Sequence, residues 1–442
     1  MKKLNEMQEA KFLRYFFAAV SLAFIAAAVF MPDRDTMLSG FWKITTSTCK
    51  ISTNYFDLGG YSATFFNMGV VGIYCTLLTL LPGAKPNNVT TLAVLLTIGF
   101  GSWGMNILNI WFPILGVVVA NLIKKDKPLS NVNAMLFSTG LSPVISEMLL
   151  RYPNSEVIGF NVLGFVLAVV VGIIAGIAIS SGLGHSPNVH KGFNLYSAAL
   201  PVGVTAFFLN GMLYKVMGIE LPGAAGDMAV ASWANTNIFC LILFGICIVM
   251  ALVLGCSPRD YWKLLKNRGQ VNNLSGTLGN AVFLMNLGVY GLFILTYYNL
   301  VGGKFNGVTF GLVFCMLCTC NSGSRPSNVW PIMLGYVVAS TVTGFLSGLL
   351  GGSFSLAINA QAILVGLCYA NGLSPVCDKY GWQYGCLAAM VHYTLVTLVP
   401  NIHGGFCLYN GGFTGIFVCI LLIPVLERFC KTKEARMALK AN

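Results

Sequence analysis

The chain has 442 residues, of which 56% are hydrophobic and only 9% charged, and its mean hydropathy is +0.76. A soluble domain usually carries about 25% charged residues, so this composition excludes a soluble enzyme. Apolar stretches of about 18 or more residues recur along the chain, which predicts an all-α integral membrane protein with many segments. The fourteen cysteines are scattered through these stretches and are interpreted as small hydrophobes rather than disulfide partners.

The formal charge of +12 does not indicate a nucleic-acid partner, because the cations cluster at a few loop ends. Clusters of this kind mark cytoplasmic loops under the positive-inside rule. We therefore expect both termini to be cytoplasmic. The clusters are Lys2/Lys3/Lys11/Arg14, Lys124/Lys125/Lys127, Arg259/Lys263/Lys266/Arg268 and Arg428/Lys431/Lys433/Arg436.

The first apolar segment, 12–31, is predicted to be a retained helix, because 31–35 lacks the small-residue cleavage site of a signal peptide. A nearly neutral stretch, 32–60, follows and is predicted to be an outer loop with a surface helix. The further apolar segments of the first half are 61–82, 88–104, 106–123, 131–150, 157–183 and 190–213, and 232–256 opens the second half.

The block 403–415 lies in apolar sequence yet carries five glycines, a histidine and an asparagine, so it is a poor continuous helix. His, Gly, Phe, Leu and Tyr recur at the same spacing in 190–196. Four more landmarks recur in the same order, which predicts a duplication with a first repeat 1–228 and a second repeat 229–442. These landmarks are 32–35 with 257–260, 66–72 with 285–291, 109–113 with 328–331, and the identical 140–144 and 372–376.

The loop after the first helix is neutral, whereas its counterpart after Cys256 is basic. Equivalent loops on opposite faces predict two inverted-topology repeats, each with an odd number of crossings. Seven crossings fit each half if the Gly140 and His190 segments cross, and five fit if they are re-entrant. The prediction is about 10–14 membrane segments, including broken or re-entrant helices.

Inverted repeats place their site where broken helices from both halves meet. The breaks form three matched pairs: 99–104 with 320–326, the two Gly-Leu-Ser-Pro sequences, and the two histidine blocks. A break exposes backbone donors and hydroxyls to a ligand, although a kink can also be satisfied by neighbouring helices. The expected substrate-binding residues are Ser142, Pro143, His190, Asn194, Ser374, Pro375, His403 and Asn410.

Ionisable groups within membrane segments are functional by default, which makes Glu147, Asp378 and His392 candidates for ion coupling. Arg151 and Lys379 lie close to the two acids in sequence, so these acids also fit helix ends at the interface. His392 equally fits a core histidine. No metal or other cofactor is expected, because the Cys315-x-x-Cys318-x-Cys320 run has no neighbouring histidine.

On these repeated landmarks, the chain resembles a family of duplicated bacterial multi-pass membrane proteins of unknown function. A partial likeness to bacterial urea transporters rests on Asn-Gly-x-x-x-Gly helix starts at 306–311 and 410–415. The Leu-Pro-x-x-Thr-x-Pro-Phe signature of that family is absent. The first resemblance implies a bacterial cytoplasmic membrane, and the second implies two inverted halves around a pore.

We therefore expect a transmembrane transporter or channel for a small polar solute, neutral or singly charged, at the interface of the repeats. Passive movement is favoured because few acidic residues lie within the apolar segments, and ion coupling usually needs a buried carboxylate. The alternatives are an ion-coupled secondary transporter and a membrane-embedded enzyme that uses His392 or His403 with Asp378. The expected partners are the solute and the lipid bilayer, with a homo-oligomer left open.

Overall fold

A computed structural model describes residues 7–223, 233–267, 271–352 and 356–441. Within these ranges every regular element is a helix, and eight helices are long and apolar enough to cross a membrane. The chain is thus an all-α integral membrane protein, as its composition predicts. The proposed repeat boundary at 228/229 and the cations Lys2, Lys3 and Arg268 lie outside the described residues.

The helices of the first half are α1 (Glu9–Val29), α2 (Met37–Thr45), α3 (Tyr55–Leu78), α4 (Asn88–Phe100), α5 (Trp111–Ile123), α6 (Val132–Ser138), α7 (Ser142–Leu150), α8 (Val162–Gly182), α9 (Ser186–His190) and α10 (Ala199–Asn210). Those of the second half are α11 (Trp233–Val253), α12 (Pro258–Lys266), α13 (Leu274–Leu278), α14 (Asn280–Leu300), α15 (Gly307–Leu317), α16 (Pro326–Leu350), α17 (Gln361–Ala370), α18 (Ser374–Tyr380), α19 (Trp382–Val396), α20 (Val399–Ile402), α21 (Asn410–Phe429) and α22 (Lys433–Ala441).

The duplication is visible in the backbone. Gly60 interrupts α3 with φ 88° and ψ 175°, and Gly279 separates α13 from α14 with φ 94° and ψ 161°. Residues other than glycine rarely adopt this left-handed backbone. Asn54 and Asn273 cap the helical turns before these kinks. The two halves therefore share a specific backbone feature as well as sequence landmarks.

The core is organised around α4 and α15, which pack against each other in antiparallel orientation. Each helix begins at a capping box, formed by Asn87 with Thr90 and by Asn306 with Thr309. The helices approach so closely that a Cβ atom at Gly99 would lie 2.6 Å from the Gly311 carbonyl oxygen. Both helices are buried along nearly their whole length, so the other segments surround them.

Contacts of the N-terminal segment establish the inverted relation of the halves. Ser275 Oγ donates to Glu9 Oε1 at 2.7 Å, and Asn280 Nδ2 donates to the Met7 carbonyl at 3.1 Å. The start of α1 therefore lies at the same end of the molecule as the loop that follows α11. The loop that follows α1 lies at the other end, so the repeats are inverted, as the charges predict.

We call the end of the molecule that holds the 257–267 segment, with helix α12, the basic end. Lys433 lines the same cavity there as Lys266, and Lys124 and Lys127 line a second cavity with Lys85. Seven helical segments run between the two ends in the described part of the first half: α1, α3, α4, α5, α6–α7, α8 and α10. The Gly140 segment thus runs from one end to the other as a broken helix, which fits seven crossings rather than five in the first half.

Candidate functional site at the junction of the two halves

The two histidine blocks fold in the same way. His190 Nε2 lies 3.0 Å from Ser197 Oγ, and His403 Nε2 lies 2.9 Å from Asn410 Oδ1. The Nδ1 atom of each ring accepts from the backbone N–H four residues further along, at 3.4 and 3.3 Å. Each imidazole therefore closes its own loop with one acceptor and one donor nitrogen.

Each histidine block reaches across to the Gly-Leu-Ser-Pro break of the other half. The Leu195 N–H donates to the Gly372 carbonyl at 2.9 Å, and the Leu408 N–H donates to the Gly140 carbonyl at 3.1 Å. The second and third pairs of breaks thus meet crosswise at the interface of the repeats. We call this region the crosswise junction.

The tyrosine after each of these leucines packs directly over the glycine of the opposite break. A Cβ atom at Gly372 would lie 2.4 Å from Tyr196 Cδ2, and one at Gly140 would lie 2.2 Å from Tyr409 Cε2. Only glycine leaves room for the ring at this separation. The packing of an aromatic ring from the other half therefore explains why both positions are glycine.

The two tyrosine hydroxyls have different surroundings. Tyr196 Oη donates to the Cys315 carbonyl at 2.7 Å and lies 2.8 Å from Asn371 Oδ1. Tyr409 Oη is buried and has no hydrogen-bond partner among the described residues, and the same is true of Ser142 Oγ. Buried hydroxyls are nearly always paired, so each of these two groups can form a further hydrogen bond at the junction.

Two asparagines that the sequence interpretation used only as landmarks support the first pair of breaks, 99–104 and 320–326. Asn67 Nδ2 donates to the Gly101 and Met105 carbonyls at 2.6 and 2.8 Å. Asn286 Nδ2 donates in the same manner to the Cys320 and Ser324 carbonyls, at 3.2 and 2.9 Å. The sequence does contain a signal for these contacts. An asparagine stands at matched positions in two apolar helices, and a buried amide requires hydrogen-bond partners.

The second half carries a buried ion pair next to its break. Arg325 Nη2 lies 2.9 Å from Asp378 Oδ1, and Asn328 Nδ2 donates to Asp378 Oδ2 at 2.9 Å. The two charged side chains are 1% and 7% exposed. Lys379 does not pair with Asp378, and its Nζ lies 4.9 Å from the Phe193 ring centroid instead. Adjacent helical residues point in different directions, so sequence proximity misleads here.

The first half has polar but uncharged side chains at the equivalent positions. Asn109 Nδ2 donates to Ser146 Oγ at 2.8 Å, as Asn328 does to Asp378, and Asn106 occupies the place of Arg325. The structural counterpart of Asp378 is therefore Ser146 rather than Glu147. Glu147 pairs with Arg151 one helical turn away. Both acids are buried in ion pairs rather than placed at exposed helix ends.

His392 lies between two hydrogen-bond partners and is fully buried. Its Nδ1 atom is 2.6 Å from Tyr336 Oη, and its Nε2 atom is 2.7 Å from the Gly411 carbonyl oxygen. These contacts match the core-histidine interpretation, since both ring nitrogens are used within the protein. A coupling role for Glu147, Asp378 or His392 stays a prediction.

The expected substrate-binding residues all lie in or beside the crosswise junction. The six with polar side chains are at most 3% exposed: Ser142, His190, Asn194, Ser374, His403 and Asn410. Pro143 and Pro375 are also buried and begin α7 and α18. Asn194 joins the halves directly, because its Nδ2 donates to the Gly412 carbonyl at 2.9 Å. The junction is closed to solvent in this conformation.

Fold and junction together define an all-α integral membrane protein built from two inverted repeats that interlock at their broken helices. The chain belongs to the family described as protein of unknown function (DUF1576), which it matches over residues 33–215 and 257–428. These two matched segments fall in the two halves. Comparison with curated proteins and with solved structures finds no match.

Proposed function

We propose that this protein moves a small polar solute across a membrane at the crosswise junction. The observation that carries the proposal is that two buried hydroxyls, Tyr409 Oη and Ser142 Oγ, have no hydrogen-bond partner among the described residues and lie where broken helices of both halves meet. A polar solute between the halves would pair with these groups. Inverted-repeat transporters bind their solutes near the midplane between discontinuous helices.

Solute passage requires the halves to separate, because the polar residues of the junction are at most 3% exposed. Two backbone hydrogen bonds, Leu195 to Gly372 and Leu408 to Gly140, hold the histidine blocks to the opposite breaks. Each such bond contributes only about 1 kcal/mol net, so opening is energetically accessible. We infer a path that opens by local displacement of these blocks.

We propose passive movement. The two deep carboxylates are each neutralised by an arginine, Asp378 by Arg325 and Glu147 by Arg151. A coupling carboxylate must exchange its ion, and a carboxylate held in an ion pair does so less readily. Ion coupling is the alternative. The enzyme alternative needs His392 or His403 beside Asp378, whereas these three groups are hydrogen-bonded to other partners.

The remaining proposals concern the membrane in which the chain lies and its partners. We place the chain in the cytoplasmic membrane of a bacterium, with the basic end and both termini in the cytoplasm, since cation-rich loops face inward. A pore between two inverted halves also accords with the Asn-Gly-x-x-x-Gly starts at 306–311 and 410–415 that resemble those of urea transporters. The partners are then the solute and the bilayer, and a homo-oligomer is left open.

Proteoliposomes containing the purified chain test the proposal. Uptake of urea, glycerol, acetate and lactate is measured with and without imposed proton and sodium gradients, against protein-free vesicles. Passive transport predicts faster equilibration of at least one solute with no accumulation above the external concentration. Accumulation that Asp378→Asn abolishes would establish coupling instead. Permeability equal to that of protein-free vesicles for the whole panel would contradict transport of such solutes.

A further inference from the structure

A cavity of about 560 Å³ opens at the basic end between the amphipathic helices α12 and α22. Among the described residues, its charged lining consists of Lys266 from α12, Lys433 from α22, and the ion pair Arg325 and Asp378. Three cations thus face one carboxylate. The cavity carries a positive excess within a partly enclosed space, where charge interactions are stronger than in water.

Arg325 is the most deeply buried of these charges, with 1% of its side chain exposed. A guanidinium presents a planar fork of donors that fits a carboxylate in two-point geometry. Asp378 uses that fork in this structure, with contacts of 2.9 and 3.4 Å. Both Nη atoms also donate to backbone carbonyls, of Gly323 at 2.9 Å and of Asn267 at 2.8 Å, so the fork is held in place at the wall of the cavity.

The first half shows that the fold does not require this ion pair. Asn106 and Ser146 stand at the equivalent positions, and the same break is held by the same asparagine contact. There the 46–54 loop fills the space, because Cys49 Sγ lies 3.2 Å from the Gly104 carbonyl and 3.5 Å from Ser146 Oγ. Desolvating two charges is costly, and among the described residues only the second half bears that cost at this position.

We propose that this cavity binds a small monocarboxylate, which Arg325, Lys266 and Lys433 attract and which shares the guanidinium with Asp378. Asp378 keeps its hydrogen bond from Asn328 when the bound carboxylate shares the guanidinium donors. The proposal rests on the proposed transport function and gives its substrate class. The cavity is then the entrance at the basic end, below the closed junction.

The test replaces the ion pair by the side chains that the first half already carries, Arg325→Asn with Asp378→Ser. Binding of lactate and acetate to the full-length protein in detergent is measured by calorimetry. The wild type is expected to bind, and the double variant to bind at least about tenfold more weakly, because a charge-assisted two-point contact is lost. Its melting temperature should stay near that of the wild type.

Lys127→Gln is the matched control for Lys433→Gln, because Lys127 lines the separate cavity at the same end and its loss removes the same single positive charge. It should leave lactate binding unchanged. Lys433→Gln is the second variant, should the double variant fold poorly, and is expected to weaken lactate binding. Lactate affinity equal to that of the wild type in both the double variant and Lys433→Gln would overturn the proposal. A wild type that binds inorganic phosphate but neither lactate nor acetate would overturn it as well.

The carboxylate site and the transport function can be contradicted independently of each other. If lactate binds in an Arg325-dependent manner but no solute of the panel crosses proteoliposomes, the site stands and the transport function falls. If urea or glycerol crosses and the protein binds no carboxylate, transport stands and the carboxylate site falls.

Discussion

At the scale of single residues, the histidine blocks combine a buried site with a structural role. His403 Nε2 contacts Asn410 Oδ1, and its Nδ1 accepts a backbone N–H within the same loop. A histidine at a glycine break can either contact a ligand or cap the backbone. The structure shows capping contacts in the closed conformation.

We predict that His403→Ala lowers the free energy of unfolding by about 1–3 kcal/mol, because it leaves two buried polar groups without partners. Thermal unfolding of the detergent-solubilised protein measures this loss. His185→Ala is the control, since His185 is exposed and a surface substitution changes stability by about 0.5 kcal/mol or less. Identical melting temperatures for the two variants would contradict the capping role.

At the scale of elements, the crosswise junction depends on two glycines that accommodate rings from the other half. We predict that Gly140→Ala and Gly372→Ala each destabilise the protein by about 1–3 kcal/mol, because a Cβ atom would overlap Tyr409 or Tyr196. Solute flux should change as well, because the histidine blocks can no longer pack against the opposite breaks. Unfolding and proteoliposome uptake are the measurements.

Gly245→Ala in α11 is the matched control, because a Cβ atom there meets nothing within 4 Å. Alanine is the better helix former by up to about 1 kcal/mol, so this variant should be neutral or slightly stabilised. Destabilisation of all three variants to the same degree would show that helix propensity, rather than the junction, governs these positions.

The sequence predicted which elements break but not how the breaks meet. Repeated motifs revealed the three pairs, because glycine and proline interrupt helices wherever they occur. Pairing across the halves involves contacts between residues separated by more than 170 positions, such as Tyr196 with Cys368. Local patterns carry no such information. The same limit explains why Arg325 was not recognised as the partner of Asp378.

At the scale of the whole molecule, the inverted repeat was predictable because loop charge reports which side of the membrane a loop occupies. The number of crossings was not, since a broken segment such as 131–150 has the same composition whether it crosses or returns. Packing answers it for this segment: α6 and α7 run from one end of the molecule to the other and are buried within the protein, where broken backbone can find partners.

The orientation yields a labelling prediction. A cysteine at Thr46 should react with a membrane-impermeant reagent added outside intact cells, whereas one at Asn267 should react only after the membrane is opened. Twelve of the fourteen native cysteines are buried, so background labelling should be low. Reaction of both positions from the same side would contradict the inverted arrangement.

The central claim is that solute passes where the two halves interlock, and a reversible lock tests it most directly. A Cβ atom at Gly405 would lie 3.8 Å from Lys50 Cβ, which is the separation of a disulfide. Lys50→Cys with Gly405→Cys would therefore tie the 46–54 loop to the His403 block. Gly405 has a φ of +79°, so the same variant is compared before and after oxidation.

Uptake of urea, glycerol, acetate and lactate into proteoliposomes is followed with this variant oxidised and then reduced, and with each single cysteine variant as control. We predict that oxidation abolishes the uptake seen in the reduced protein and that a reducing agent restores it. Undiminished uptake with the disulfide fully formed would contradict a path through the crosswise junction.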